Sequence, residues 1–298
     1  MYRQIESNKR RSIILIALFI IIIAGIGWAF GELTEFGYWG LVLALIISVL
    51  MALVGYYQGD KIALWTAGAK PLAKQDNPYV YRMVENLCIT AGLPVPKIYI
   101  INDPAPNAFA AGRDPKHASV ALTTGIIERL ENEELEGVIA HELSHIKNYD
   151  MRLMTLVVVL VGIIALLANW FWRIQFFGGG RRRNSRSGGQ LGMILMIVGI
   201  ILMILSPLIA QLIKLAISRK REFLADASAS LLTRYPEGLA RALEKISSSG
   251  QPLLRANNAT AHLYIASPFG AKASKGMAKL FSTHPPIEER VRALRRMA

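Results

Sequence analysis

Two histidines that stand four residues apart are the strongest chemical feature of this sequence. His141 and His145 lie in the run 137–147, GVIAHELSHIK, and Glu142 directly follows the first of them. On an α-helix, side chains four residues apart lie on the same face, so both imidazoles can bind one metal ion. Glu142 is then close enough to reach a molecule bound to that metal. The pattern predicts a zinc hydrolase site, with Glu142 as the general base rather than as a ligand.

A third metal ligand has to come from elsewhere, because a catalytic zinc site uses three protein ligands and one open position. The other histidines lie on no predicted helix with an obvious partner; they are His117, His262 and His284. We favour Glu222, which lies on a predicted helix with Asp226 four residues later on the same face. From there Asp226 could accept the free ring N–H of a zinc-bound histidine and fix its tautomer. Acidic pairs at this spacing are also common on solvated helix faces.

Apolar runs occupy much of the sequence, in which 53% of residues are hydrophobic. Residues 13–30 and 38–57 are each close to the roughly 20 residues that an α-helix needs to cross a bilayer. They predict an N-terminal transmembrane hairpin over residues 1–57. A signal peptide is the alternative for the first run, but no Ala-x-Ala type of cleavage site follows Phe30. Basic residues before the first run and only acidic charges between the runs predict a cytoplasmic N-terminus.

Two further apolar runs, 153–172 and 191–217, predict a second hydrophobic hairpin over residues 153–217. The connection 173–190 is rich in glycine, serine and arginine and contains no acidic residue, which is typical of a disordered loop. Two full spans would place its arginines outside the cytoplasm, against the positive-inside rule. Either the rule fails for this loop or the hairpin does not cross the membrane completely. Both alternatives return the chain to the side that it left.

The segments 58–150 and 218–298 have the composition of a soluble domain that the second hairpin interrupts. The helix that carries the two histidines is expected to begin near Asn132, a good N-cap residue. We therefore predict a mainly α integral membrane protein with a small β-sheet. The other predicted helices are 78–91, 219–232, 236–246 and 286–296, and the predicted strands are 97–101, 107–111 and 118–122.

The formal net charge of +13 points to anionic partners. The basic clusters 9–11, 181–183 and 219–221 stand next to apolar runs, which favours the head groups of a lipid bilayer over nucleic acid. We expect no nucleic-acid partner. Cys88 is the single cysteine, which excludes an intrachain disulfide and a cysteine-based zinc site.

These features together resemble the HtpX heat-shock membrane metalloproteases, which are relatives of the CAAX prenyl endopeptidases. The resemblance implies a gluzincin-type zinc endopeptidase with one zinc ion per chain, bound by the two motif histidines and Glu222, and with Glu142 as general base. The sequence departs from the family pattern at Ala111, where threonine is more usual, and in the arginine-rich loop. The resemblance covers nearly the whole chain, and the matching segments are His141-Glu-Leu-Ser-His145 with Asp150, Ser218-Arg219 through Glu222 to Ala225-Asp226, Asn107-Ala-Phe-Ala, and Thr283-His284-Pro285-Pro286 with Arg290.

Two further roles follow from the chemistry of peptide cleavage. His284 or Arg290 could supply a donor that neutralises the oxyanion of the tetrahedral intermediate. A His-Pro-Pro sequence at a helix start can equally be structural. Asn107, Ala108 and Phe109 could form an edge strand that pairs with an extended substrate, although an ordinary internal strand fits the same residues.

The position of the motif relative to the apolar runs indicates a class of protein substrate. At about 1.5 Å per residue, His145 is roughly 12 Å from the start of the third run, so the metal would lie near the cytoplasmic membrane surface. Misfolded or damaged membrane proteins are the expected substrates, and the resemblance implies the same quality-control role. One alternative is processing of prenylated proteins, for which the relatives use more spans. The other is a membrane adaptor that binds zinc without catalysis, which would have no reason to keep Glu142.

Overall fold

The computed structural model describes residues 2–32, 36–160, 162–163, 219–257, 259–270 and 285–297, and within these ranges the chain is mainly helical. The helices are α1 (Tyr2–Glu32), α2 (Tyr38–Ala67), α3 (Pro78–Ala91), α4 (Thr124–Arg129), α5 (Asn132–Lys147), α6 (Arg219–Thr233), α7 (Pro236–Ser249) and α8 (Ile287–Arg295). Residues 150–160 are also helical. The strands are β1 (Lys70–Pro71), β2 (Lys97–Ile101), β3 (Ala108–Gly112) and β4 (Ala118–Thr123). The predictions for loop 173–190, the run 191–217 and His284 lie outside the described residues.

The N-terminal helices α1 and α2 pack closely because glycines face each other between them. A Cβ atom on Gly27 would lie 2.6 Å from the carbonyl oxygen of Gly40, so a larger side chain would force the helices apart. Both helices are long and apolar enough to cross a membrane by length and composition, over Ile5–Glu32 and Tyr38–Ala67. They contain the predicted runs 13–30 and 38–57. Large apolar side chains cover their outer faces, among them Ile13, Trp39 and Leu50.

The sheet has the strand order β1-β2-β4-β3, so β3 forms one of its edges. β4 is parallel to β2 and antiparallel to β3, with Leu122 opposite Ala108. The chain therefore leaves β2, forms the edge strand and returns through residues 113–117 to place β4 between them. The three predicted strands are confirmed to within one residue at each end. β1 was not predicted, because a strand of two residues carries no periodic signal.

Helix α5 lies at the centre of the part of the structure outside α1 and α2, and every residue from 137 to 146 is buried. It packs against α6, α7 and β3. Gly137 permits the close approach of α7, since a Cβ atom there would lie 2.9 Å from the backbone nitrogen of Leu239. Because α5 is enclosed in this way, its polar side chains must find their partners inside the protein.

Helix α5 begins at Asn132 as predicted, but the N-cap residue is Glu131 rather than Asn132. Glu134 Oε2 accepts a hydrogen bond from the backbone nitrogen of Glu131 at 2.9 Å, which satisfies one of the free donors of the first turn. Lys245 of α7 donates to the same oxygen at 2.8 Å. The acidic residues at this end therefore stabilise the helix start.

The helical residues 150–160 contact helix α1 on one side and strand β3 on the other. Leu15 and Phe19 of α1 belong to one apolar cluster with Leu153 and Leu156. On the other side, Thr155 Oγ1 accepts a hydrogen bond from the nitrogen of Gly112 at 3.1 Å, at the end of β3. The beginning of the third apolar run thus connects α1 with the sheet.

Candidate metal centre

The structure brings the three predicted ligands into one buried cluster. The Nε2 atoms of His141 and His145 are 3.1 Å apart. The Glu222 carboxylate lies 3.8 Å from Nε2 of His141 and 3.7 Å from Nε2 of His145. Candidate ligand atoms of all three residues lie within 4.8 Å of one another. The histidines come from successive turns of α5 and the glutamate from the first turn of α6, which packs on α5.

Each histidine has its second ring nitrogen next to a carboxylate. Asp226 Oδ1 is 3.0 Å from Nδ1 of His141, and Asp150 Oδ2 is 3.2 Å from Nδ1 of His145. An ionised carboxylate only accepts hydrogen bonds, so these contacts assign the proton of each neutral ring to Nδ1. With both rings neutral, the lone pairs of the two Nε2 atoms and the Glu222 carboxylate can bind one cation. Two imidazoles and one carboxylate are a donor set of catalytic zinc sites.

The two histidines differ in their affinity for a proton. Burial lowers the pKa of His141 to about 4, and the positive charge of Arg290 adds to this effect. Burial acts in the same direction on His145, but the hydrogen bond to Asp150 and the negative charge of Glu222 outweigh it and raise the pKa to about 9. A metal ion that binds here must displace the Nε2 proton of His145, while the Nδ1 proton stays next to Asp150.

Glu142 is buried beside the edge strand β3 and is 2% exposed. The backbone N–H of Ala110 donates a hydrogen bond to its carboxylate, and burial raises the pKa of Glu142 to about 7. A carboxyl group with a pKa near neutrality is suited to accept a proton and to release it again. Glu142 therefore has the environment of a general base.

Arg290 is a fully buried cation whose guanidinium group binds Asp226. Its Nε and Nη2 atoms donate to the two carboxylate oxygens at 2.8 and 2.6 Å. Its Nη1 atom donates to the carbonyl oxygen of Ile265 at 3.2 Å. Because a bidentate pair of this kind fixes both groups, Arg290 holds Asp226 against His141.

The predicted substrate strand 107–109 makes contacts within the protein. The Asn107 amide donates to the backbone of residues 264–266, and the carbonyl oxygen of Ala108 accepts from the same segment. Phe109 packs edge-on against a tyrosine of that segment, with ring centroids 5.0 Å apart. Ala110 is the residue of β3 whose backbone reaches Glu142.

Three contacts of the site were not predicted from the sequence, and one of them is the ion pair of Arg290 with Asp226. Asp150 stood among the matching motif residues, but nothing in its spacing assigned it to His145, because it follows the end of α5. The N–H of Ala110 is a backbone group, and backbone donors leave no signal in residue types. Only the approach of β3 to α5 reveals it.

Comparison of the whole chain with known proteins identifies its family. The family model described as Peptidase family M48 matches residues 74–298. The chain is 46% identical over 296 residues to a Protease HtpX homolog from Dictyoglomus thermophilum, and the match covers 99% of this chain and 94% of that protein. A Protease HtpX homolog from Streptococcus uberis is 44% identical over 300 residues, with 100% of both chains covered.

A solved structure extends the likeness to the fold. The crystal structure of S. mikatae Ste24p matches with a TM-score of 0.50 and 19% sequence identity, covering 99% of this chain and 67% of that chain. The resemblance that the sequence motifs indicated is confirmed by these matches. The chain therefore belongs to peptidase family M48 and is a membrane metallopeptidase.

Proposed function

We propose that this protein is a zinc-dependent endopeptidase that cleaves misfolded or damaged membrane proteins on the cytoplasmic side of the membrane. The observation that carries the proposal is the buried cluster of His141, His145 and Glu222 with Glu142 beside it. A bound zinc ion would act as a Lewis acid toward the peptide carbonyl and would increase the acidity of a water molecule. In the described part of the chain the cluster has three ligands, which suits a catalytic site better than a closed structural site.

The remaining residues of the site take separate roles in this proposal. Glu142 accepts a proton from the attacking water and later donates it to the leaving amine. Asp226 keeps the Nδ1 proton on His141, and Arg290 keeps Asp226 in place. Since the guanidinium of Arg290 is already engaged, His284 is our candidate for the donor to the oxyanion.

We assign substrate binding to the edge strand β3. An extended peptide can add to a free sheet edge by main-chain hydrogen bonds. The contact between Ala110 and Glu142 supports this assignment, since it places the strand beside the general base. The contacts of Asn107, Ala108 and Phe109 with residues 264–266 fix the strand, so pairing with substrate would use the residues of β3 that follow them.

The distribution of charge supports the cytoplasmic orientation. Arg10 and Arg11 of α1 are exposed, and so are Arg219 and Lys220 at the start of α6. Positive charges that flank membrane spans are typical of the cytoplasmic side, where anionic lipids attract them.

Cleavage by the full-length protein in liposomes tests the proposal. The substrates are a stable membrane protein, a destabilised variant of it and a prenylated peptide, each supplied to vesicles that contain the protein loaded with zinc. We expect preferential cleavage of the destabilised protein, loss of cleavage after chelation and its return with added zinc. Cleavage that survives chelation would contradict the metal dependence. Cleavage confined to the prenylated peptide would favour the prenyl endopeptidase alternative.

A further inference from the structure

Helix α1 places one buried amide side chain against the catalytic part of the protein. Asn8 is 1% exposed, whereas the basic residues 9–11 that follow it are exposed. Its Nδ2 atom donates to Asp150 Oδ1 at 2.7 Å and to the carbonyl oxygen of Asn148 at 2.9 Å. Its Oδ1 atom accepts from Arg221 Nη1 at 3.2 Å. Donor and acceptor of this amide are therefore both used, by residues distant in sequence.

These contacts connect α1 with two of the candidate metal ligands. Asp150 binds Asn8 through Oδ1 and faces Nδ1 of His145 with Oδ2 at 3.2 Å. Arg221 also donates to Asp150 Oδ1, at 3.2 Å, and directly precedes Glu222 in α6. Two donors thus hold one oxygen of the carboxylate, and the other oxygen is left to orient the histidine.

We propose that Asn8 is a positioning residue for the metal site. It holds Asp150 in the orientation that keeps the Nδ1 proton on His145 and the Nε2 lone pair directed at the metal. This inference rests on the proposed zinc site and extends it to the first helix of the chain. Without the amide donor, Asp150 Oδ1 and the Asn148 carbonyl lose a buried partner, and the carboxylate can turn toward Arg221.

Attachment of α1 to the rest of the protein does not depend on this amide. Leu15 and Phe19 pack against the helical residues 150–160 in a separate apolar cluster. Removal of the Asn8 side chain should therefore leave α1 in place. The effect of the change should appear in metal binding rather than in folding.

Ser12 provides a matched control on the same helix. It is 2% exposed, it lies one turn beyond Asn8, and its hydroxyl donates only to the backbone oxygen of Asn8 at 2.9 Å. Ser12→Ala removes a buried polar group from the same face of α1 without touching Asp150.

The test measures zinc binding by the full-length protein in detergent. Zinc affinity is obtained by competition with a chelator for wild type, Asn8→Ala, Asn8→Leu and Ser12→Ala, and the visible spectrum of the cobalt-substituted protein reports ligand geometry. The leucine variant keeps the number and branching of the side-chain heavy atoms and has a high helix propensity, so it leaves no cavity and guards against a folding defect. Loss of the direct partner of a metal ligand typically costs 10- to 100-fold in affinity. Because Asn8 acts on His145 through Asp150, we expect a loss at the lower end of this range, about tenfold, for both Asn8 variants. We expect an altered cobalt spectrum as well, and wild-type behaviour for Ser12→Ala.

The outcomes separate this inference from the proposed function. Asn8 variants with wild-type zinc affinity and cobalt spectrum would overturn the inference while leaving the zinc site intact, even if their melting temperature fell. An equal loss in Ser12→Ala would also overturn it, since the effect would then belong to the packing of α1. A wild-type protein that binds no zinc would overturn the proposed function itself, and the inference with it.

Discussion

Replacing Glu142 with glutamine is expected to reduce kcat/KM for peptide cleavage by about 10²- to 10⁴-fold, the usual contribution of a positioned acid–base group. Glutamine keeps the size of the side chain and can still accept the hydrogen bond from Ala110, so the buried site should retain its shape. Because Glu142 lies outside the ligand cluster, the zinc content should not change. The measurement is cleavage of casein or an unfolded membrane protein, together with zinc analysis of the same preparation.

Glu133→Gln is the matched control for this change. Glu133 lies on the same helix α5, carries the same charge and is exposed. We expect it to keep wild-type activity. If Glu142→Gln cleaved as fast as this control, Glu142 would not be the general base, and the reading of the protein as an adaptor that binds zinc would gain support.

Replacing Glu222 with glutamine is expected to act on the metal itself. A neutral amide replaces the anionic ligand, while the side chain keeps nearly the same volume in a fully buried position. Since loss of outer partners alone costs 10- to 100-fold, loss of this direct ligand should lower zinc affinity by at least about 100-fold. Proteolysis should fall in proportion to the zinc lost and recover in part at high zinc concentration.

The control for the ligand change is Glu244→Gln on α7, where the glutamate is exposed and pairs with Arg295. We expect wild-type zinc affinity for this variant. Retention of full zinc affinity by Glu222→Gln would remove Glu222 from the ligand set. The contrast between Glu142→Gln, which keeps zinc, and Glu222→Gln, which loses it, distinguishes a base from a ligand.

Local patterns in the sequence predicted most of the fold. Helical patterns indicated α3 and the C-terminal helices, and short apolar runs indicated β2 and β4, because these signals arise within a few turns or one strand. The same local spacing placed His141 and His145 on one face of α5. The order of the strands and the edge position of β3 did not follow from such patterns, since pairing depends on contacts between distant segments.

In the candidate site, too, some residues could be predicted from the sequence and others depend on contacts between distant segments. Glu222 was selected because an acid was needed at a helix that could face the motif, and the structure places it within 3.8 Å of both histidines. The hydrogen bond between Asn8 and Asp150 joins residues 142 positions apart, and nothing in the composition of α1 marks it. Arg290 is one of the two residues considered as the oxyanion donor, and the contact of its guanidinium group with Asp226 did not follow from the motif.

X-ray absorption spectroscopy of the zinc-loaded wild-type protein tests the central claim most directly. If His141, His145 and Glu222 bind one zinc ion, the spectrum should show two imidazole nitrogens at about 2.0–2.1 Å and oxygen ligands at about 2.0–2.2 Å, with one zinc per chain. The imidazole contribution should disappear from the double variant His141→Ala with His145→Ala. A sulfur ligand at about 2.3 Å, a shell of oxygens alone, or an unchanged spectrum in that variant would place the metal elsewhere and contradict the claim.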